Sequence, residues 1–229
     1  MNYFSDFLAL FYPKYCEICK RVLTEGEDFI CTHCLSDLPK TYFHTLKNNP
    51  VEMLFAGRIP VFRATAFCVF RKGNSMQILI HRLKYRGNKE IGIFLGKLLG
   101  TSLAENPDFN SIDIIIPIPL HKQKQKKRGY NQSEYIAKGI SQVLSKQIDT
   151  SSLIRITDTS TQTRKTRYNR WENVSSIFQL TDNKNLTGKH ILLIDDVITT
   201  GSTMEAAAQL LVSLPNTKVS IASLAYATH

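Results

Sequence analysis

One segment near the C-terminus constrains the fold of this 229-residue chain more than any other. The run His190–Ile194, apolar after its first residue, leads directly into Asp195-Asp196, and a turn rich in hydroxyl groups then leads into a helical pattern over 204–214. A short apolar run of this kind predicts a buried parallel strand. In an open parallel sheet, ligands bind where the carboxyl ends of strands meet helix N-termini. The segment therefore predicts an α/β domain with a ligand site that begins at Asp195.

The rest of the main domain repeats this alternation of strands and helices. Further strands are predicted over 61–70, 112–116, 153–156 and 219–226, and further helices over 76–83, 91–99 and 131–144. Such an order predicts a mostly parallel sheet flanked by helices. We assign residues 61–229 to this domain and residues 41–60, which contain Pro50, Gly57 and Pro60 without a clear period, to a linker.

The N-terminal part carries two Cys-x2-Cys pairs with eleven residues between them: Cys16, Cys19, Cys31 and Cys34. Paired thiolates on tight turns can complete a tetrahedral Zn²⁺ site, and four of them leave no open position for catalysis. Two disulfides are the alternative, which a reducing compartment disfavours. A redox role would not need the motif twice. We therefore predict a structural zinc ribbon within residues 1–40, preceded by a short N-terminal helix.

The turn after the acidic pair has the composition of a phosphate-binding loop. It supplies hydroxyl groups, one glycine and backbone N–H groups at the positive end of a helix, from Thr199, Thr200, Gly201, Ser202 and Thr203. Asp195 and Asp196 are suited to hold two sugar hydroxyls or the hydration shell of Mg²⁺. An ATPase strand ending in two acids is the alternative, but the chain has no GxxxxGK[ST] loop to bind a triphosphate.

Of the net charge of +10, nine charges come from two basic runs that contain no acid, Lys122–Arg128 and Arg164–Arg170. Either run alone could be a solvated loop, whereas both within one ligand domain favour anion binding. The apolar stretch Phe7–Tyr12 is far shorter than the roughly 20 residues of a membrane span. Since no signal peptide is recognisable either, we expect a cytoplasmic protein.

The pattern Asp-Asp-x-x-Thr-Thr-Gly-x-Thr resembles the signature of type I phosphoribosyltransferases, which bind 5-phosphoribosyl-1-pyrophosphate (PRPP) with Mg²⁺. Residues 81–96, 117–139 and 162–178, together with the four-cysteine ribbon, are similar to the competence protein F (ComF) family. The resemblance covers nearly the whole chain. It implies a type I phosphoribosyltransferase fold.

By position, the resemblance implies that Asp195 and Asp196 hold the ribose hydroxyls and that residues 199–203 hold the 5-phosphate. Arg128, Asn131 and Gln132 would belong to the pyrophosphate loop, and residues 162–173, with Arg170, to a mobile catalytic loop. Cations there would stabilise the charge that develops on the departing pyrophosphate. Arg128 and Arg170 are thus the catalytic candidates.

The resemblance also implies a role in DNA uptake during natural transformation. Residues 61–105 would form a hood that selects an acceptor, for which a nucleobase-like compound is one candidate. The basic run Lys122–Arg128 offers a surface for single-stranded DNA, and proteins of the competence machinery are further candidate partners. A nucleic-acid-binding or structural component with a vestigial PRPP site remains the alternative.

Overall fold

The computed structural model describes residues 13–85, 87–156 and 177–228. Its strands are β1 (Arg63–Phe70), β2 (Ile114–Pro117), β3 (Gln147–Ile148), β4 (Leu153–Arg155), β5 (Phe178–Leu180), β6 (His190–Ile198) and β7 (Lys218–Ala227). Its α-helices are α1 (Thr32–Ser36), α2 (Pro50–Met53), α3 (Ser75–Tyr85), α4 (Lys89–Ala104), α5 (Pro107–Asn110), α6 (Lys122–Arg128), α7 (Gln132–Leu144) and α8 (Ser202–Val212). A 3-10 helix spans Phe43–Thr45.

A parallel sheet of five strands forms the centre, in the order β1-β7-β6-β2-β3. Strands β4 and β5 form a separate antiparallel pair. The predicted α/β class with a mostly parallel sheet is thus confirmed. None of the helices within the described ranges has the length and apolar character needed to cross a membrane.

Strand β6 is longer than the sequence pattern predicts. The apolar run ends at Ile194, but the strand continues through the acidic pair to Ile198. The reason is its partner β7, which pairs with it throughout: Asp195 lies opposite Ser223 and Ile198 opposite Tyr226. The predicted strand end at Ile194 is therefore wrong, and the two acids lie inside the strand near its carboxyl end.

Apolar side chains cover both faces of the sheet. One cluster combines residues of α3, α4 and α7 with Leu192 and Ile194 of β6, and it also contains Cys16, Ile30, Cys31 and Cys34 from the N-terminal part. The other combines α8 with Ile191 and Leu193, and it includes Val51 and Phe55. The burial of apolar surface on both sides gives the three-layer arrangement that a parallel sheet requires.

Residues 41–60, predicted as a linker, make specific contacts with the sheet. Lys40 forms an antiparallel bridge with Cys68 of β1, and the Thr41 N–H donates to the Phe67 carbonyl at 3.0 Å. Helix α2 then begins after Asn49, whose side chain accepts hydrogen bonds from the backbone N–H groups of Val51 and Glu52. The segment therefore covers the edge of β1 and places Phe55 against the buried face.

Helices α4 and α7 approach each other closely through glycines. A Cβ atom on Gly96 would lie 2.2 Å from the Ile136 carbonyl oxygen, and one on Gly139 would lie 2.1 Å from the Ile93 carbonyl oxygen. Gly92, Gly96 and Gly100 recur every four residues along α4, a spacing that places them on one face. The absence of side chains at this contact lets the two backbones pack directly.

We expect Gly139→Ala to destabilise the fold, because the new methyl group has no space between two backbones. Overpacking costs typically about 1–3 kcal/mol of unfolding free energy, more where the obstacle is backbone. Chemical denaturation should show a clearly lower midpoint for the variant.

Gly100→Ala, on the α4 side of the same helix contact, is the matched control. Its Cβ would lie 3.1 Å from the Ile140 Cα and from the Val143 Cβ, so a small shift can accommodate it. The gain of about 1 kcal/mol in helix propensity offsets part of that cost. Equal midpoints for Gly139→Ala and Gly100→Ala would contradict this account of the helix contact.

Candidate functional site

The carboxyl edge of the sheet carries a small concave site at the end of β6. It is lined by Asp195 and by residues 197–204, so the first acid of the pair and the hydroxyl-rich turn share one surface. The turn joins β6 to α8, an eleven-residue helix whose first turn points its N–H groups back toward this surface. The sequence prediction placed a ligand site here, and the structure brings these elements together.

The turn itself has a backbone shape that requires glycine. Gly201 has φ 78°, in the left-handed region, and forms the N-cap of α8. A Cβ atom on Gly201 would also lie 3.1 Å from Cε1 of Phe55, whose ring packs behind the turn. The hydroxyls of Thr200 and Ser202 lie 3.0 Å apart, and both residues are exposed. Exposed hydroxyls beside a helix N-terminus are suited to bind an anion of phosphate size.

Asp195 is held from two sides. One carboxylate oxygen accepts hydrogen bonds from the Ser133 hydroxyl and from the Asp196 N–H, both at 2.9 Å. Burial, followed by the adjacent Asp196 carboxylate, raises the pKa of Asp195 to about 7, against the opposing effects of these hydrogen bonds and of Lys84. Ser133 was not among the predicted site residues, although its place in the first turn of α7 brings it to the same sheet edge.

Asp196 forms an ion pair with Lys84. The ammonium Nζ lies 2.9 Å from Oδ1 of Asp196, with 22% of the lysine side chain and 10% of the aspartate side chain exposed. Lys84 lies in the last turn of α3. Sequence reasoning placed it in the acceptor-selecting hood, and nothing in its local pattern signals a contact with residue 196.

The residues predicted for the pyrophosphate loop lie at the junction of α6 and α7. Arg128 donates from Nη1 to Oε1 of Gln132 at 2.8 Å, and its guanidinium carbon lies 5.7 Å from the centre of the Tyr85 ring. Gln132 is 1% exposed, and its Nε2 has no hydrogen-bond partner among the described residues. Since Ser133 contacts Asp195, this junction lies next to the acidic pair.

Asn131 has a structural position. Its Nδ2 donates to the Ile118 carbonyl at 3.0 Å, and its Oδ1 accepts from the Ser133 N–H at 3.1 Å, as the N-cap of α7. With 2% of its surface exposed, the Asn131 side chain orients the turn that leads to Ser133. Arg170, together with the rest of 162–173, lies outside the described residues.

A larger cavity of about 400 Å³ lies beside the amino end of β1, where Arg63 is one of its lining residues. Three of its charged lining residues pair with one another, since Arg63 lies 2.8 Å from the Glu52 carboxylate and 2.9 Å from that of Asp108.

The four N-terminal cysteines form one compact cluster. Their sulfur atoms all lie within 4.8 Å of one another, and Cys19 Sγ is 3.7 Å from Cys31 Sγ. A tetrahedron with Zn–S bonds of about 2.3 Å has sulfur–sulfur edges of about 3.8 Å. All four are free thiols, so the disulfide alternative is not realised. Four such thiols could hold a metal ion, and the cluster fits a small zinc-binding ribbon.

The protonation behaviour of the four thiols favours binding of a cation. Burial opposes ionisation of Cys16, but hydrogen bonds from the backbone of Cys19, Cys31 and Ile18 outweigh it and lower its pKa to about 6. Burial and the neighbouring cysteines raise the pKa of Cys34. One thiolate thus disfavours the next, and a bound cation is what lets all four ionise together.

The ribbon packs directly on the helices of the main domain. Glu17, between the first two cysteines, lies 3.2 Å from Nε of Arg82 on α3. The rings of Phe29 and Phe94 on α4 are 5.5 Å apart. These contacts extend the apolar cluster that the ribbon shares with the helices, so the ribbon packs against α3 and α4.

Part of the chain matches a known protein family. The family model described as "Phosphoribosyl transferase domain" matches residues 131–229, which include the acidic pair and the hydroxyl-rich turn. A hypoxanthine phosphoribosyltransferase from Staphylococcus aureus superposes with a TM-score of 0.35 at 17% identity, covering 58% of this chain and 61% of that one.

Two relatives match most of the chain. DNA utilization protein YhgH of Escherichia coli O157:H7 is 30% identical over 207 residues, 89% of this chain and 86% of its own length. Competence protein F of Haemophilus influenzae is 32% identical over 160 residues, 66% of this chain and 68% of its own length. With its phosphoribosyl transferase domain and its four-cysteine cluster, the chain belongs to the family of competence protein F and DNA utilization protein YhgH.

Proposed function

We propose that this protein binds PRPP together with Mg²⁺ at the carboxyl edge of β6 and transfers the phosphoribosyl group to a nitrogen acceptor. The observation that carries this proposal is the joint placement of the Asp195 carboxylate and the hydroxyl-rich turn on one small concave surface, with the Asp196 carboxylate next to Asp195 in the strand. Carboxylates suit ribose hydroxyls, and the turn before α8 suits a phosphate. Asp196 and Thr199 are three positions apart in the chain. This short separation suits carboxylates and a turn that bind the sugar and the phosphate of one ribose phosphate.

Different residues would bind different parts of PRPP. Asp195 and Asp196 would accept hydrogen bonds from the ribose hydroxyls, and residues 199–203 would donate to the 5-phosphate. Arg128 would face the pyrophosphate from the junction of α6 and α7. Asn131 and Gln132 would shape that junction, since both side chains are buried there.

Transfer would break the bond between C1 and the pyrophosphate oxygen and form a bond from C1 to the acceptor nitrogen, whose proton would pass to solvent. The electron pair of the broken bond leaves with pyrophosphate, so negative charge grows on the leaving group. Arg128, and Arg170 as the sequence pattern implies, would stabilise that charge in the transition state. Bound Mg²⁺ would neutralise further charge on the phosphate oxygens.

The relatives give this activity a cellular setting. Their names refer to competence and to DNA utilization. We therefore place the protein in the uptake or use of DNA, with a nucleobase-like compound as the candidate acceptor and with proteins of the competence machinery as candidate partners. A vestigial PRPP site in a structural component is the alternative, and calorimetry with PRPP and Mg²⁺ tests it.

We expect the double substitution Asp195→Asn and Asp196→Asn to weaken PRPP binding at least about tenfold. A hydrogen bond to a charged group contributes about 1.5–3 kcal/mol, and each 1.4 kcal/mol is a factor of about ten in affinity. Calorimetry with PRPP and Mg²⁺ measures the change. The exposed pair Glu25→Gln and Asp28→Asn in the ribbon removes the same charge and serves as control.

The melting temperature shows whether a loss of PRPP binding comes from the site itself or from unfolding of the protein. The folded pKa of Asp195, about 7, lies above its ordinary value of about 3.9, so the wild-type protein loses stability as pH rises between these values. Asp195→Asn removes this loss, and its melting temperature should exceed that of the wild type increasingly from about pH 4 to about pH 7. Normal PRPP binding by the double variant would make the acids structural and refute the proposed site.

We propose that the metal of the ribbon is structural zinc, and we expect one zinc ion per chain by elemental analysis. Cys31→Ser should lose the metal, because three thiolates bind Zn²⁺ less tightly than four. It should also lower the melting temperature, since Cys31 belongs to the main apolar cluster. Cys68→Ala is the control: Cys68 is buried in β1 and should leave the zinc content unchanged. Metal-replete protein without zinc would overturn this assignment.

Binding of single-stranded DNA is a second candidate function, favoured by the surface of α6. This helix has seven residues, five of them cations, and buries none of its side chains. Phosphate contacts made by such a surface are salt-dependent.

We expect charge reversal of Lys126 and Lys127 to weaken DNA binding and to reduce the slope of log affinity against log salt by about 0.7 for each lost contact on single strands. Fluorescence anisotropy over a salt series measures both quantities. Reversal of the exposed Lys72 and Lys97 changes the net charge equally at other places and is the matched control. Equal slopes for the two double variants would exclude α6 as the DNA surface.

A further inference from the structure

The last turn of α3 brings a positive charge to the acidic pair. We propose that Lys84 is a specificity-determining residue of the site, whose ammonium lets the two carboxylates accept ribose hydroxyls from a ligand that carries a pyrophosphate at C1. This inference rests on the proposed binding of PRPP. It adds that α3, outside the residues 131–229 of the matched domain, supplies part of the ligand site.

The position of Lys84 is fixed by its neighbours on both sides. The Leu83 carbonyl accepts a hydrogen bond from the buried Tyr130 hydroxyl, and Arg82 pairs with Glu17 of the ribbon. Tyr85 lies beneath the Arg128 guanidinium. Contacts with the ribbon, with the α6–α7 junction and with β6 thus converge on four successive residues. The turn therefore delivers the Lys84 side chain to a defined place.

Electrostatics explains why a cation is needed there. Asp195 and Asp196 are adjacent carboxylates, and the proposed ligand is a polyanion. Without a compensating cation, the pair would repel the phosphates that the rest of the site is built to attract. Among the described residues, Lys84 is the cation that makes an ion pair with this carboxylate pair. The contact at 2.9 Å has most of its surface removed from water, where the attraction is screened less.

The effect depends on the ligand. PRPP and ribose 5-phosphate share the ribose hydroxyls and the 5-phosphate, but only PRPP carries a pyrophosphate next to the hydroxyl at C2. If the acidic pair accepts the ribose hydroxyls, the Lys84 ammonium at Asp196 would lie on that side of the ribose, toward the pyrophosphate at C1. Loss of Lys84 should therefore weaken PRPP binding more than ribose 5-phosphate binding. A tie that merely holds α3 against β6 would affect both ligands alike.

Calorimetry on the full chain tests this, with PRPP and ribose 5-phosphate at fixed Mg²⁺. Lys84→Met keeps the aliphatic stem and removes the charge, whereas Lys84→Arg keeps the charge. We expect Lys84→Met to lose at least about tenfold in PRPP affinity and less than about threefold in ribose 5-phosphate affinity. Lys84→Arg should stay within about threefold of the wild type for both. Lys97→Met, on the exposed side of α4, should bind as the wild type does.

Each result has one meaning. Unchanged PRPP affinity in Lys84→Met overturns the role of Lys84 and leaves the proposed function intact. Equal losses for both ligands, without rescue by arginine, make Lys84 a structural tie and also overturn the proposal. If the wild type binds no PRPP, the proposed function fails first, and the role of Lys84 fails with it.

Discussion

Two adjacent carboxylates inside a paired strand are the constraint on which the rest of the site depends. Burial of like charges is unfavourable, and β6 nevertheless carries Asp195 and Asp196 before its pairing with β7 ends. Two kinds of contact offset this cost. The Ser133 hydroxyl and a backbone N–H donate hydrogen bonds to Asp195, and Lys84 forms an ion pair with Asp196. These contacts require that α7 begins and that α3 ends at the same edge of the sheet. The position of both helices thus follows from the acidic pair.

Close packing of α4 against α7 makes that position possible. Gly96 and Gly139 let the backbones of the two helices touch, which holds the N-terminus of α7 near β6. Phe55 acts in a similar way from the other face, because its ring lies against the turn at Gly201. The geometry of the site therefore depends on contacts made by glycines and by a segment that has no functional pattern of its own.

Much of this arrangement could be predicted from the sequence, because it depends on local pattern. Apolar runs predicted five of the seven described strands but not the short β3 and β5, the cysteine spacing predicted the cysteine cluster, and the Asp-Asp and Thr-Thr-Gly residues indicated the candidate site. The contacts that could not be predicted join residues far apart in the chain. Lys84 and Asp196 are separated by 112 positions, and no period in either segment relates them. The strand end was missed for the same reason, since pairing with β7 and not local hydrophobicity decides it.

The shared apolar cluster makes the stability of the ribbon and the stability of the helices depend on each other. A module joined by a free linker can be lost or exchanged without cost to its neighbour, whereas here Cys16, Ile30 and Cys34 pack in one cluster with residues of α3 and α4. A chain that dropped the ribbon would expose that apolar surface to water and release Arg82 from Glu17. A substitution in the ribbon can therefore destabilise α3, and a substitution in α3 can destabilise the ribbon.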